Sequence, residues 1–303
     1  LNMLQLFSVK NTVDFLRHAA PISIISVILV IASFVSLGTK GINWGLDFTG
    51  GTVVEVEFSS PVDLNELRSK LTSAETEGAL VQNFGSSTDV LFRLPVRENI
   101  KSDLQAIGIM TVVNSMDQNV FQKRVEFVGP QVGKQVAEQG GLAVIVALIC
   151  ILIYVSFRFE WRLAAGSVAA LAHDVIVTLG VFSILQLEFD LTVLAGLLTV
   201  VGYSLNDTIV VYDRIRENFL KMRKGTPEEI VNQSITQTMS RTVITTGTTL
   251  IVVIALFLKG GTMIHGFATA LLCGIFVGTY SSIYVASYLA IKLGINREHM
   301  LPV

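Results

Sequence analysis

Apolar residues gather in six long runs, at 20–38, 137–157, 162–185, 191–212, 241–258 and 264–292, separated by polar stretches of very unequal length. A helix needs about 20 apolar residues to cross the hydrocarbon core of a bilayer, so each run predicts a transmembrane helix. Between the first and second runs the period changes. "TVVEVEF" (52–58) alternates as a strand does, and "VDLNELRSKLTSA" (62–74) has helical spacing. "ALVQNF" (79–84) and "DVLFRL" (89–94) read as two strands joined through Gly85, Ser86 and Ser87. A helix within 97–118 and a strand at "FQKRVEFV" (121–128) complete the order β-α-β-β-α-β, that of a split βαβ, ferredoxin-like α+β domain. The expected organisation is an N-terminal segment and first transmembrane helix at 1–38, the α+β domain at 39–134, and transmembrane helices two to six within 135–303, with a polar loop at 213–240. In that loop "TPEE" (226–229) carries a capping box with proline at the first helical position, so a helix is expected to start there and run into the fifth span at Arg241.

Composition agrees with a membrane protein. The chain has 303 residues, of which 51% are hydrophobic and 15% charged, and its mean hydropathy of +0.62 excludes an ordinary soluble domain. A net charge of -2 gives no ground for a nucleic-acid partner. How the charges are placed says more. Lys10 and Arg17 precede the first span, "FRFEWR" (157–162) joins the second to the third, Arg214 to Lys224 follow the fourth, and Lys292 and Arg297 follow the sixth. All fall on one side, whereas "QLEFD" (186–190) and "KGGTM" (259–263) hold one basic residue between them. The excess of positive charge makes both termini cytoplasmic and places 39–134 on the outer side. No small-residue cleavage site follows the run Pro21–Leu37, so the first span reads as uncleaved. Cys150 and Cys273 sit in apolar runs and read as small buried hydrophobes rather than a disulfide framework. The α+β segment shows no His/Cys cluster, phosphate loop or nucleophile beside a base, which favours a binding or mechanical domain over a catalytic one.

The chemistry is expected inside the spans. Asp207 lies about 8 Å from the midplane of the fourth, within the core's half-thickness of about 15 Å, while Asp213 beside Arg214 reads as a headgroup-level charge. On a helical wheel Ala195, Gly196, Thr199, Gly202, Tyr203, Asn206 and Asp207 share one broad face and Leu194, Leu198, Val201 and Leu205 the other, so the small and polar face is expected to look into a bundle. A charged, unpaired carboxylate there costs about 3 kcal/mol or more, so Asp207 is either protonated or partnered. Surroundings that alternate between wet and dry would let it load and release a proton; the other reading is a static interhelical hydrogen bond. Arg241 opens the fifth span, and Arg241, Thr245, Thr248 and Val252 form a stripe. It is the expected countercharge of Asp207 beside a hydrated pathway, or else a residue that snorkels at a span boundary.

His173 and Asp174 occupy the middle of the third span. Neighbours on a helix point about 100° apart, so one is expected to face the bundle and the other a partner helix, with proton handling and a structural polar contact both open. In the sixth span Gly266, Ala270, Gly274, Gly278, Ser282, Ala286, Ala290 and Gly294 are small and spaced by four. That spacing drifts about 40° per step, so three or four members at a time should share a face and pack closely, within the bundle or against another membrane protein. In "NWGLDFTGGT" (43–52) Gly45, Gly50 and Gly51 permit tight turns, which suggests a structural hinge with Asp47 as a capping or turn residue and Trp44 at the membrane interface.

Taken in order, "GLDFTGGT" (45–52), "FRFEWRLAAG" (157–166), "ALAHD" (170–174), "GYSLNDTIVVYDRIREN" (202–218), "RTVITTGTTL" (241–250) and "SSIYVAS" (281–287) resemble the SecF subunits of the bacterial SecD/SecF protein-export complex, in the RND transporter superfamily. The resemblance extends from the first span to about Met300. It implies a polytopic α-helical inner-membrane protein with six transmembrane helices and a ferredoxin-like periplasmic domain, paired with a SecD-like subunit and serving the Sec translocon channel and unfolded secretory polypeptides. It implies no enzyme, no cofactor or metal, and a drive by protons. The Asp of the family's "S-x-N-D" motif, here Asp207, is the proton-responsive residue, and the Arg opening the fifth span, here Arg241, is important beside it. Asn206, Thr245, His173 and Asp174 complete the expected proton-coupling set. One charge moved down 100 mV yields about 2.3 kcal/mol, enough to bias a domain movement and too little for covalent chemistry. A passive scaffold subunit and a proton-coupled exporter of another substrate are the rival readings.

Overall fold

The computed structural model describes residues 12–73, 75–97, 100, 102–222 and 224–298, so Lys10 and Met300 lie outside the described residues. Helix α1 (Ala19–Thr39) is followed by the short α2 (Leu46–Thr49), β1 (Gly51–Glu57), α3 (Leu64–Lys70), β2 (Leu80–Phe84), β3 (Ser86–Leu94), α4 (Ser102–Met116) and β4 (Phe121–Val128). Then come α5 (Pro130–Arg158), α6 (Trp161–Leu185), α7 (Leu191–Lys221), α8 (Pro227–Lys259), α9 (Thr262–Ser281), a π-helical segment (Ser282–Ala286) and α10 (Ser287–Lys292). Two compact units result, Trp44–Ala143 and the remainder, Leu1–Asn43 with Val144–Val303.

The first of these is a four-stranded antiparallel sheet in the order β2-β3-β1-β4 with two helices, the ferredoxin-like arrangement. Alternation fixes which side chains meet. Val54 and Val56 of β1 and Val90, Phe92 and Leu94 of β3 pack with Leu67 of α3 and Ile109 and Val113 of α4, while Val53 and Leu91 cover Leu46 on the opposite face. The side chain of Asp63 caps α3 by accepting from the Asn65 amide at 2.8 Å. The hairpin between β2 and β3 turns on Gly85 alone, at φ +84°, so Ser86 and Ser87 belong to the strand rather than to the expected loop. At the entry to β1 the double glycine is required by space. Gly51 has φ +130°, and a Cβ there would lie 2.4 Å from the Leu94 carbonyl oxygen; Gly50 has φ +67°, and its Cβ would press on Val128 and Pro130 at 3.1 Å. Asp47 lies in the first turn of α2, just ahead of them.

Among the described residues six helices are long and apolar enough to cross a membrane. Helix α1 covers Ala19, Ser26, Ser33 and Ser36 and leaves Ile24, Ile28, Ile31 and Phe34 outside. Ser33 fits because α6 offers Gly180, where a Cβ would fall 2.0 Å from the serine hydroxyl, and Ser36 bonds Ser183 at 2.8 Å. The two cysteines are free; Cys273 is partly buried, but Cys150 is exposed, against the expectation for it, because α5 turns that side away from its neighbours.

The expected loop at 213–240 is instead mostly helix. Helix α7 continues to Lys221 and α8 starts at Pro227, where the Thr226 hydroxyl accepts from the Glu229 amide (3.3 Å) and the Glu229 carboxylate from the Thr226 amide (3.0 Å). The extensions hold because Ile215, Phe219, Ile230, Val231 and Ile235 are buried together and Asn218 donates to Ser234 (2.8 Å) and Gln237 (3.0 Å). As expected, the helix begun at "TPEE" runs unbroken into the fifth span. The "FRFEWR" turn is tied down by Arg158–Asp213 (2.5 Å), Glu160–Arg162 (2.5 Å) and the bond from Arg162 to the Leu293 carbonyl (3.0 Å).

The small-residue row of the last span packs against α7 of the same chain. A Cβ on Gly266 would lie 2.8 Å from Val193, one on Gly274 2.2 Å from Val200, and one on Gly278 3.0 Å from Ser204, while Ala270 sits 3.2 Å from a Cβ on Gly196. Four successive members thus share one neighbour, as expected of a row that drifts, and further along Ala286 lies instead against α6, where a Cβ on Gly166 would fall 2.8 Å from its carbonyl oxygen.

Candidate functional site

Helix α7 buries Val193, Gly196, Leu197, Val200, Val201, Ser204, Leu205, Asp207 and Thr208. The inward side therefore differs from the one the wheel predicts: Ala195, Thr199, Gly202 and Asn206 are exposed, and Val201 and Leu205 are inside. A wheel assumes that oil and water pull opposite faces apart, whereas a lipid-facing surface tolerates small residues and a bundle interior accepts leucine and valine as readily as serine. Asp207 keeps its predicted inward position at 8% exposure, without Asn206 beside it.

Its two oxygens have one neutral donor each. Thr242 Oγ1 donates to Oδ1 at 2.9 Å and Ser282 Oγ to Oδ2 at 3.1 Å. Arg241 is exposed, and among the described residues no contact ion pair joins it to Asp207, although its positive charge still acts on that carboxyl, as the expected countercharge would. Arg241 and Thr242 point about 100° apart on α8; the short threonine occupies the inward position and the arginine the outward one. The threonine stripe is rotated for the same reason. Thr238 and Thr242 are buried, Thr246 bonds Tyr203 (3.1 Å) and Thr279 (3.2 Å), Thr245 is partly buried and bonds neither acid, and Thr248 and Val252 are exposed.

A second acid lies on α6. His173 and Asp174 are 5% and 1% exposed and meet each other, Nδ1 to Oδ1, at 2.9 Å. The expectation that one would turn to a partner helix fails because both side chains are long enough to close the angle between their Cβ atoms. Asp174 Oδ2 accepts from Ser204 Oγ at 2.5 Å and Ser281 Oγ at 2.8 Å. His173 Nε2 is buried and has no hydrogen-bond partner among the described residues.

Asp207, His173 and Asp174 are thus brought into one hydroxyl-lined interior, and Arg241, Asn206 and Thr245 are left outside it. Such a set can hold and exchange protons. Among the described residues no three metal-ligating side chains converge. Sequence reasoning missed Ser204 and Ser281, took Ser282 for packing alone, and read Thr242 only as part of the threonine-rich run after Arg241, outside the coupling set. The readable signals were Thr242 at i, i+4 from Thr238 and Thr246, and the Ser281–Ser282 pair in the small-residue row.

The family model described as "Protein export membrane protein SecD/SecF, C-terminal" matches residues 109–296, and that described as "SecD/SecF GG Motif" matches residues 35–62. The chain is 58% identical to "Protein translocase subunit SecF" of Vibrio alginolyticus over 99% of this chain and 96% of the relative. It is 53% identical to the protein of the same description from Escherichia coli O157:H7, over 96% of this chain and 91% of the relative. Among solved structures it resembles the crystal structure of SecDF, a translocon-associated membrane protein from Thermus thermophilus, with a TM-score of 0.85 and 37% identity, over 94% of this chain. The chain spans 39% of that longer chain. It also resembles SecDF in its super-membrane-facing form, with a TM-score of 0.71 and 37% identity, over 95% of this chain and 39% of that one.

Proposed function

The chain belongs to the SecD/SecF protein-export family, and on that premise we propose that it is an accessory Sec translocase subunit in which Asp207 takes up and releases the proton that drives export. One observation carries the reading: a carboxylate at 8% exposure inside a membrane bundle is held by two neutral hydroxyls. Hydroxyls solvate a protonated carboxyl well and an ionised one incompletely, since a buried charge needs a paired charge or several donors. Both hydroxyls donate in the structure, so a proton taken up on either oxygen must turn one of them from donor to acceptor. Without that proton the site must recruit water or a cation. Arg241, one residue before Thr242 on α8, is the nearest candidate, and a turn of that helix would exchange the threonine for the arginine. The proton sets which helix face the acid prefers, and the packing of α7 on α8 and the last span carries that choice outward. Moving one charge through 100 mV supplies about 2.3 kcal/mol for such a shift.

The remaining assignments rest on the family and on the charge pattern. The protein is a multi-pass inner-membrane protein that pairs with a SecD-like subunit. Both termini are cytoplasmic and the ferredoxin-like unit is periplasmic, where it acts on unfolded polypeptide leaving the Sec channel. The subunit is not an enzyme and needs no cofactor. Asp207→Asn is expected to fold and assemble with its SecD-like partner while losing proton-dependent export in membrane vesicles; retention of full export overturns the reading. A static interhelical contact is the rival, since each oxygen of Asp207 already has a donor. It wins if Asp207→Asn lowers the thermal stability of the complex and leaves proton conductance unchanged.

A further inference from the structure

The last span changes its winding at the two acids. From Ser282 to Ala286 it is π-helical, a local distortion found mostly at functional sites. The consecutive residues Ser281 and Ser282 serve different carboxylates on different helices: Ser281 Oγ donates to Asp174 of α6 at 2.8 Å and Ser282 Oγ to Asp207 of α7 at 3.1 Å. Each hydroxyl also has a second acceptor in reach, Gly278 O for Ser281 (3.1 Å) and Thr279 O for Ser282 (3.0 Å). A serine has one proton to donate, so each hydroxyl divides it between a carboxylate and its own helix backbone. Ser204, three residues before Asp207 on α7, adds a direct tie to Asp174 at 2.5 Å.

We propose that His173 with Asp174 is a second proton-holding site, and that Ser281 and Ser282, at the start of the π-helical segment, couple it to Asp207 by moving their hydroxyl protons between the carboxylates and the backbone carbonyls of Gly278 and Thr279. The inference deepens the proton-driven reading above and rests on it. A proton arriving on Asp207 Oδ2 turns that oxygen from acceptor into donor, so the Ser282 proton swings to Thr279 O. A hydroxyl that bonds a carbonyl one turn back competes with the backbone ladder and bends the helix. Ser281 shares a peptide bond with Ser282 and cannot keep its own aim at Asp174 unchanged. The unpartnered, buried Nε2 of His173 is the position at which the second site gains or gives up its proton.

Among the described residues the groups that act on the two acids are Ser204 from α7, Thr242 and the more distant charge of Arg241 from α8, Ser281 and Ser282 from the last span, His173 from α6 itself, and Cys273 of α9 beside Asp174 and Thr178. Tyr280, whose ring centroid is 6.1 Å from that of His173, is engaged with α1, donating to Ile22 O at 2.8 Å and lying 2.5 Å from the Ser26 hydroxyl. Gly278 keeps the junction tight, since a Cβ there would lie 3.5 Å from Asp174 Oδ2 and 3.2 Å from Ser204 Oγ.

The test follows the carboxyl bands of the assembled complex in lipid by infrared spectroscopy against pH, with Asp207→Asn and Asp174→Asn to assign them. Asp174→Asn should move the midpoint of the Asp207 band by about one pH unit, the size at which two sites titrate as a pair. In a Ser281→Ala/Ser282→Ala background the same substitution should move it much less, and Ser281→Thr/Ser282→Thr, which keeps both hydroxyls, should restore the shift. A purely structural role for the serines would change the melting temperature and leave the shift intact. An Asp207 band that titrates identically with and without Asp174 overturns this inference and leaves the proposed function standing; a band that does not titrate at all overturns both.

Discussion

In the ferredoxin-like unit the covered residues are Leu67, Val90, Phe92, Leu94, Ile109 and Val113; in the membrane unit α1 covers Ser26, Ser33 and Ser36 and exposes Ile24, Ile28 and Phe34. Water explains the first pattern, because each apolar side chain removed from it gains about 25 cal/mol per Å². Lipid withdraws that gain, since an isoleucine is as well placed among acyl chains as against another helix. What then selects the inside of a bundle is the need of polar groups for partners and the close approach that glycine, alanine and serine allow. The two units follow one physics in two solvents. In the bundle, whose interior also holds Leu163, Leu171, Val201 and Leu205, a buried polar residue is therefore a pointer to polar work, as Asp174 and Asp207 are, while in the sheet unit a buried apolar one is a pointer to stability.

The largest test of this contrast uses one substitution at two places. Phe92→Ala, at a fully covered site of β3, should destabilise the sheet unit by about 3–5 kcal/mol. Phe276→Ala on α9, where the ring is 62% exposed, should cost within about 0.5 kcal/mol. Hydrogen exchange of the intact protein in detergent, read on peptides from each unit, measures both. Equal losses would mean that the bundle too is held by apolar burial.

Much of the sheet unit was legible because alternation along β1 and β3 reports a covered face that water enforces, although the alternating Phe121, Val125 and Phe127 of β4 are exposed. Its errors were at edges: β3 begins at Ser86 because Gly85 alone can make the turn at positive φ. In the membrane unit the spans were legible by length and hydropathy, and their rotation was not. Asn206 was placed beside Asp207 and Arg241 opposite it, yet both are exposed, because nothing in a lipid-soluble helix marks which side is in. The reliable mark would have been spacing among hydroxyl residues. Ser204 with Asp207 on α7, Thr238 with Thr242 on α8, and the Gly278–Ser281–Ser282 group all lie on buried faces. The polar loop expected at 213–240 failed for the opposite reason: charge hid a helical hairpin whose apolar row of Ile215, Phe219, Ile230 and Ile235 obeys the rule for water.

A middle-sized effect probes the polar interior itself. Asp174→Ala removes the acceptor of Ser204, Ser281 and His173 at once, and stranding buried donors should cost about 1–3 kcal/mol. Asp174→Asn keeps an oxygen in place and should cost distinctly less. Thermal unfolding of the purified complex ranks the two. If alanine is as stable as asparagine, the hydroxyls have found other acceptors and the cluster contributes no specificity to the bundle.

The smallest effect concerns the place where the sheet unit behaves like the membrane one. Glu55 of β1 is 4% exposed and faces Arg124 across the β1–β4 ladder. Loss of water pushes its carboxyl above the usual glutamate range, while Arg124 and Lys123 pull it back and Asp89 and Glu126 push it up. The folded state then binds the proton more tightly than the unfolded chain, so this group's contribution falls as pH rises from the ordinary value of 4.5 through its folded value and is level on either side. Asp117, held below its usual range by the Ser59 hydroxyl, has the opposite sign: its stabilisation is present at higher pH and is lost as pH falls through its folded value. Only the difference between wild type and Glu55→Gln isolates the first slope. Trp44 lies within the sheet unit, so its fluorescence in a Trp161→Phe background, followed in urea at a series of pH values, reads that difference directly. The gap should open in favour of the variant as pH rises above 4.5. A flat difference would mean that Glu55 keeps its water and that Arg124 and Lys123 alone set its state, in which case the sheet unit holds no counterpart to the buried acids of the bundle.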